Sequence, residues 1–204
     1  LAEDKKQKFK LVDSSSNSGF SGGNNAGINS VSADYYLLLN SDTIVRPGAL
    51  EMLLETLKNN PEAGLVGARL EWPDGKPQES CFHFHTPVSE FLKAASIGLF
   101  SRLLDRYIVA RPVADSAEYY QWVSFACVLI RGQVIKDVGL LDDKFFMYFE
   151  DVEFSYRAKK AGWKVIYQPN AHVVHLRGGS SPLKSQAQLR KKLPRYFYES
   201  RTRY

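Results

Sequence analysis

The stretch Tyr35-Tyr36-Leu37-Leu38-Leu39-Asn40-Ser41-Asp42-Thr43 decides how this chain is read. Five apolar or aromatic residues in succession have strand length and lack the alternation of a half-buried strand, so both faces of this strand must be covered. Central strands of parallel sheets read this way, and the expectation is an α/β fold with a mixed, mainly parallel sheet flanked by helices. The run stops abruptly at Asn40-Ser41-Asp42. In open α/β sheets ligands bind beyond the carboxyl ends of the strands, which places Asp42 at a candidate site.

Outward from this strand, residues 8–12 read as a short strand, followed by a loop of small residues over 13–25 with a helix start near Asn24 or Asn25. The loop has neither the GxGxxG nor the Gly-Lys-Ser/Thr spacing of phosphate-binding loops, but its glycines let backbone approach a ligand closely. A helix is expected from about Pro47 to Asn59, with strands over 63–70, 121–131, 163–167 and 171–175. Apolar residues at helical spacing predict an amphipathic helix over 88–107, and a short helix follows at 133–138. Residues 178–181, Gly-Gly-Ser-Ser, read as flexible.

The second informative stretch is Phe145-Phe146-Met147-Tyr148-Phe149-Glu150-Asp151-Val152-Glu153-Phe154-Ser155-Tyr156-Arg157. Acids at a helix start are favoured by the helix dipole and by unpaired backbone N–H groups, so Glu150 and Asp151 could be a helix start and nothing more. Glu153 and Arg157 are spaced to pair on the helix surface, and Gly162 suits the position after its end. The aromatic run is not explained this way. It builds an apolar wall beside an ionisable group, as a general base requires.

His172 and His175 flank Val173-Val174, and on a strand residues three apart point to opposite faces, so at most one of them faces a given site. His83 and His85 alternate with Phe82 and Phe84 in an expected strand and are given no chemistry. Of two cysteines, Cys127 lies in an apolar strand, which favours a reduced, cytoplasmic setting. At 44% hydrophobic and 24% charged residues the composition is that of one globular domain, without the apolar run of about 18 residues that a spanning helix needs. The net charge of +5 sits at the end: residues 184–204 hold seven Lys or Arg against Glu199, which is +6 and leaves −1 for the rest. Interleaved with Tyr196, Phe197, Tyr198 and Tyr204, this segment could lie on an anionic membrane surface or on nucleic acid, or pack its apolar side on the domain.

Taken together, Asn17-x-Gly-Phe-x-Gly-Gly-Asn-Asn-x-Gly, Leu-Leu-Leu-Asn-Ser-Asp-Thr, the acidic stretch through Arg157, and His172-Val-Val-His-x-x-Gly-Gly-Ser resemble family-2 glycosyltransferases, with the closest likeness to bacterial rhamnosyltransferase-like members. The resemblance runs from Asn17 to Ser181. It implies a GT-A (Rossmann-like) fold, an inverting transfer of a sugar such as rhamnose from a dTDP- or UDP-linked donor, and a glycan or lipid-linked acceptor in cell-surface polysaccharide synthesis. It also implies Mn²⁺ or Mg²⁺ at Asp42, the last acid of the family's Asp-x-Asp motif, whose first acid is here Asn40. With one carboxylate there, His175 is expected as the second metal ligand. Asp151 matches the family's base. Asn17, Gly22, Asn25, Asn40, Ser41 and Asp42 fall on the donor side, and Trp122, Phe125 and Glu150 on the acceptor side, with Phe125-Ala126 standing where many relatives have Gly-Ala.

Relatives carry a nucleotide-binding βα unit upstream of the Asn17 motif, a unit of at least about 30 residues, and only 16 residues precede Asn17 here. The domain over 1–183 is therefore expected to be partial, followed by a basic aromatic helix over 184–204, and a bared strand edge is expected to drive self-association. The expected location is cytoplasmic and peripheral at the inner face of the membrane. A catalytically inactive sugar-nucleotide- or glycan-binding module is the alternative reading, and nucleic-acid binding is ranked a distant third.

Overall fold

A computed structural model describes residues 10–13, 16–95, 109–111, 114–176 and 192–204. Its elements are α1 (Gly19–Asn29), β1 (Tyr35–Leu39), β2 (Thr43–Val45), α2 (Ala49–Asn59), β3 (Ala63–Glu71), β4 (Cys81–Phe82), α3 (Pro87–Ala95), β5 (Glu118–Tyr120), β6 (Trp122–Val123), β7 (Cys127–Arg131), α4 (Gly132–Val138), α5 (Glu150–Lys160), β8 (Lys164–His175) and α6 (Arg195–Arg203).

The main sheet runs β1-β7-β3-β8-β2, with β5 also on β8, and the pair β4-β6 lies beside it. Only β3 and β8 are parallel; β1–β7, β3–β7, β2–β8 and β5–β8 are antiparallel. The expectation of a mainly parallel sheet is thus corrected to a mixed, mostly antiparallel one. The apolar run 35–39 is covered only in part and is not central: Leu38 is buried beneath Ile28 of α1 and Val134 of α4, and Tyr35 and Leu37 pack on the α2 side, but Leu39 is 41% exposed and β1 is the outer strand of the described sheet. What it could not report was the direction of its partner. Burial depends on the two faces, whereas direction depends on where the chain returns, and β7 returns with Leu39 opposite Cys127 and Tyr35 opposite Arg131.

β8 is the longest strand and organises the far half of the sheet. It is one strand where two were expected, with an irregularity against β3 between Gln168 and His172. The expected strand 121–131 is instead interrupted at Ser124, Phe125 and Ala126. Residues 10–13 form no strand and Leu11 is exposed, while the rest of the span 8–12 lies outside the described residues. The helix expected from Pro47 begins after Gly48, which takes φ 80°. The strand expected around His83 and His85 ends at Phe82. Of the helix expected over 88–107, residues to 95 are helical and those from 96 lie outside the described residues, as do Gly178 to Ser181.

The small-residue loop over 13–25 is also corrected, because from Gly19 onward it is the helix α1. Its low propensity is overcome by long-range contacts: the Phe20 N–H donates to the Phe146 carbonyl at 2.8 Å, and the Asn25 amide spans both backbone groups of Leu141 at 2.8 and 3.1 Å. A Cβ on Gly19 would stand 2.0 Å from the Phe146 oxygen, and its φ of 73° suits glycine.

Candidate active site

Two acidic positions meet at the interruption between β6 and β7. At the first, β1 gives way to a turn in which the Asn40 N–H donates to the Ala126 carbonyl (2.9 Å) and Thr43 Oγ1 donates to the Asn40 carbonyl (2.6 Å). Asp42 follows the exposed Ser41, and its carbonyl accepts the Leu176 N–H at 2.9 Å. Its carboxylate lies 3.4 Å from His175 Nε2, both side chains being 13% exposed. Asp42 Oδ1 is buried and accepts no hydrogen bond among the described residues. His175 closes β8 opposite Thr43, and the buried Gln78 amide fixes its backbone, donating to the His175 carbonyl at 2.7 Å.

The two histidines separate as the strand reading requires. His172 Nδ1 faces Glu71 at 2.9 Å, in a cluster where Arg46 Nε also bonds Glu71 at 3.1 Å. Nothing in the residue order marked this cluster, since its partners come from the residue after β2, from β3 and from β8.

At the second position, α5 starts with Glu150 and Asp151 directly after Tyr148 (φ 71°) and Phe149 (φ 70°). Two consecutive left-handed non-glycine residues cost roughly 1–2 kcal/mol each, a strain that persists only where surrounding contacts impose it. Asp151 Oδ1 accepts the Val152 N–H at 2.9 Å, and the Phe125 backbone N–H lies near enough to favour its anion. Burial pushes its carboxyl up to about 7, and the backbone hydrogen bonds only partly oppose this. Glu150, 7% exposed, is pushed well above the carboxylate range by burial first and then by the charge of Asp151. The helix dipole would favour both anions by roughly 0.3–1 kcal/mol, and here desolvation outweighs it. The bland features hold too: Arg157 makes two bonds to Glu153 (2.6 and 2.9 Å), caps the Val138 and Leu140 carbonyls, and Gly162 takes φ 93°.

The break at 124–126 joins the two positions. The Phe125 N–H is turned toward Asp151, and the carbonyl of the next residue, Ala126, accepts the Asn40 N–H, so the Asp151 carboxyl and the acidic turn approach neighbouring residues of one break. The Phe125 ring turns into the core against Phe154 at 5.9 Å and is 2% exposed, so only its backbone faces the site. Trp122 is likewise 8% exposed, stacked on Phe82 at 4.0 Å with its indole N–H on the His83 carbonyl. Just before α1, Asn17 accepts the Gly19 N–H at 3.1 Å, and within it Gly22 lies against Ser18, where a Cβ would approach to 2.4 Å.

Asp42 and His175 form a two-residue donor set, and no group of three His, Cys, Asp or Glu stands together among the described residues. A buried carboxylate oxygen with open lone pairs beside an imidazole nitrogen fits Mn²⁺ or Mg²⁺, provided that the ion takes its other oxygens from substrate and water. The tail was half legible. Its aromatic residues pack on the segment before α5, with Tyr196 stacked over Tyr148 at 6.3 Å and Tyr204 over Phe149 at 5.8 Å. Two of its arginines are ion-paired, Arg195 with Glu199 and Arg201 with Glu90.

The chain is similar to several known proteins. The chain is 30% identical over 150 residues to an N-acetylglucosaminyl-diphospho-decaprenol L-rhamnosyltransferase of Mycobacterium tuberculosis, covering 72% of this chain and 48% of that protein. It is 30% identical over 153 residues to a low-salt glycan biosynthesis hexosyltransferase of Haloferax volcanii, covering 73% and 46%. A poly-beta-1,6-N-acetyl-D-glucosamine synthase of Staphylococcus epidermidis matches at 26%, covering 82% and 36%. The chain thus spans about half the length of the first relatives, or less. Its fold matches a crystal structure of GalNAc-T7 with UDP, GalNAc and Mn²⁺ at a TM-score of 0.57 and 14% identity, over 81% of this chain and 32% of that one, which makes the fold GT-A-like. The model of the family described as glycosyltransferase like family 2 matches residues 6–197, and the chain belongs to that family.

Proposed function

We propose that this domain carries out an inverting sugar transfer from a nucleoside diphosphate donor to a hydroxyl of a glycan or lipid-linked acceptor, in the synthesis of a cell-surface polysaccharide. The observation that carries the reading is the pairing of a buried Asp151, held near pH 7 by desolvation, with the Asp42 turn through adjacent residues of one strand break. A carboxylate poised near neutrality beside an apolar wall suits a general base.

In the step, the acceptor oxygen attacks the anomeric carbon from the face opposite the leaving group and Asp151 takes the hydroxyl proton. The bond from that carbon to the diphosphate oxygen breaks, and the nucleoside diphosphate leaves with the electron pair. Asp42 and His175 would hold the divalent ion, which supplies charge neutralisation to the departing diphosphate. The Val152 N–H orients the Asp151 carboxyl, the Phe125 N–H nearby favours its anion, and the rings at 145–149 restrict water around it. Asn17, Gly22, Asn25, Asn40 and Ser41 stay assigned to the donor side, with Asn25 acting through Leu141. Trp122, Phe125 and Glu150 stay on the acceptor side as supporting residues rather than exposed contacts.

A UDP or dTDP donor agrees with the UDP of the structural neighbour and the rhamnosyl transfer of the first relative, whose decaprenol-linked acceptor also favours a location at the inner membrane face. No described helix is long and apolar enough to cross a membrane. The test uses the full-length protein. Asp151→Asn is expected to keep donor binding and lower transfer by about 10²- to 10⁴-fold. Undiminished transfer would reduce Asp151 to a helix start. Donor binding without transfer in the unaltered protein would favour an inactive binding module. Mn²⁺ titration in the presence of UDP is expected to weaken with either Asp42→Ala or His175→Ala, and an unchanged His175→Ala would remove that residue from the site.

A further inference from the structure

The left-handed pair Tyr148-Phe149 lacks any local cause. Neither residue is Gly, Asn or Asp, the types that take positive φ readily, so the conformation must be imposed by contacts from elsewhere. On one side the segment is fixed by the Phe20 N–H on the Phe146 carbonyl and by the Glu153 N–H on the Phe149 carbonyl, at 2.8 and 2.9 Å. These bonds hold the ends of the segment. They leave the two rings and the peptides between them undetermined.

The other side is supplied by α6. Phe197 meets both rings of the pair, Tyr148 at 6.0 Å and Phe149 at 5.9 Å. Tyr196 stacks over Tyr148, and Tyr204 stacks over Phe149 at 27°. The buried Ser200 donates its hydroxyl to the Met147 carbonyl at 3.1 Å, tying the helix to the backbone one residue before the pair. The helix is itself pinned to α3: Arg201 pairs with Glu90, which also bonds His85 Nδ1 at 2.8 Å, and the His85 ring lies 5.7 Å from Phe149 and 6.0 Å from Tyr204. Rings on a basic terminal helix thus converge on the residues whose backbone direction sets the start of α5.

We propose that α6 is a positioning element for Asp151: its aromatic face holds Tyr148 and Phe149 left-handed and so aims the first turn of α5, and with it the Asp151 carboxyl, at the Phe125 N–H. This rests on the reading of Asp151 as the base, and it gives the terminal helix a part in the reaction without contact with substrate. If Phe149 relaxes to an ordinary φ, the helix start swings away, the Phe125 N–H no longer faces the carboxyl and water reaches it. The titratable groups around this turn are Glu150 beside Asp151, and His85, Glu90 and Tyr204 on the packed elements.

The test needs neither donor nor acceptor. In the full chain with ¹³C-labelled aspartate, the Asp151 carboxyl is assigned by its loss in Asp151→Asn and titrated by NMR, alongside hydrogen exchange of 146–156 and 195–203. In Phe197→Ala, and more mildly in Tyr204→Ala, which removes only a terminal ring, the Asp151 midpoint is expected to fall by about one pH unit as water solvates the anion, and 146–156 to exchange faster. Phe197→Leu, which keeps the bulk, and Arg203→Ala, on the exposed side of α6, are expected to leave both unchanged. Faster exchange of 195–203 with an unmoved Asp151 midpoint and unmoved exchange at 146–156 would overturn the proposal and make α6 a mere cover. Loss of the base assignment would show separately, as undiminished transfer by Asp151→Asn.

Discussion

Removing the charge of Asp151 should stabilise the protein at alkaline pH while disabling it. A carboxyl whose folded-state value lies above its unfolded value keeps its proton in the folded chain over a pH range in which the unfolded chain has lost it. Folding is therefore most favourable below pH 3.8, weakens as pH rises toward about 7, and above that carries the whole cost of a buried anion. Over that interval of roughly three pH units, at about 1.36 kcal/mol each, the cost is on the order of 4 kcal/mol. Asn at 151 keeps an oxygen for the Val152 and Phe125 N–H groups but brings an NH₂ whose desolvation costs ~1–3 kcal/mol. The expected net gain at pH 8 is about 2 kcal/mol, or about 4–8 °C in Tm for a domain of this size. At pH 5 most of the penalty is absent in the unaltered protein, so Asp151→Asn should gain nothing there and lose slightly through its unpaired amide. Thermal melts by circular dichroism at the two pH values, alongside transfer assays, measure this. A variant destabilised equally at pH 5 and pH 8 would refute the account of Asp151 as a buried, uncompensated charge.

Three further outcomes are expected. Gly19→Ala should destabilise by about 2 kcal/mol or more, read by urea denaturation, because a Cβ there meets the Phe146 oxygen at 2.0 Å with φ at 73°; a neutral result would mean that α1 does not dock on that carbonyl. Arg157→Ala should cost about 2–3 kcal/mol in the same assay, since it leaves the Val138 and Leu140 carbonyls without their donor, and Arg157→Lys should recover only part of this, because one ammonium cannot serve Glu153 and both carbonyls in the planar fork geometry; full recovery by Lys would count against that geometry. The 204-residue chain by itself should self-associate with rising concentration, seen by light scattering, because β1 is an outer strand of the described sheet and the hollow beside it is lined by Tyr35, Leu37, Leu50, Leu53, Leu54 and Leu129; a monomer at all concentrations would show that this edge is innocuous.

The sequence by itself determined which segments are covered, where the acids stand and which family the motifs resemble. The run 35–39 is apolar because Leu38 goes beneath α1 and α4 while Tyr35 and Leu37 pack toward α2, the acids at 150 and 151 open a helix, and His172 and His175 face apart because strand residues alternate. All of these are local periodicities, and local periodicity survives in one dimension. Only the tertiary structure decided the direction of the strands, since an apolar run is satisfied by a parallel or an antiparallel neighbour, and the return of β7 fixed the latter. It likewise turned the glycine-rich segment into α1 through bonds to Leu141 and Phe146, more than a hundred residues away. The joining of Asp42 to Asp151 through Phe125 and Ala126 was equally illegible, because it runs through backbone groups that every residue carries. The same holds for Tyr148 and Phe149: their side chains argue against positive φ, and only the rings packed on them from the end of the chain make that conformation the stable one.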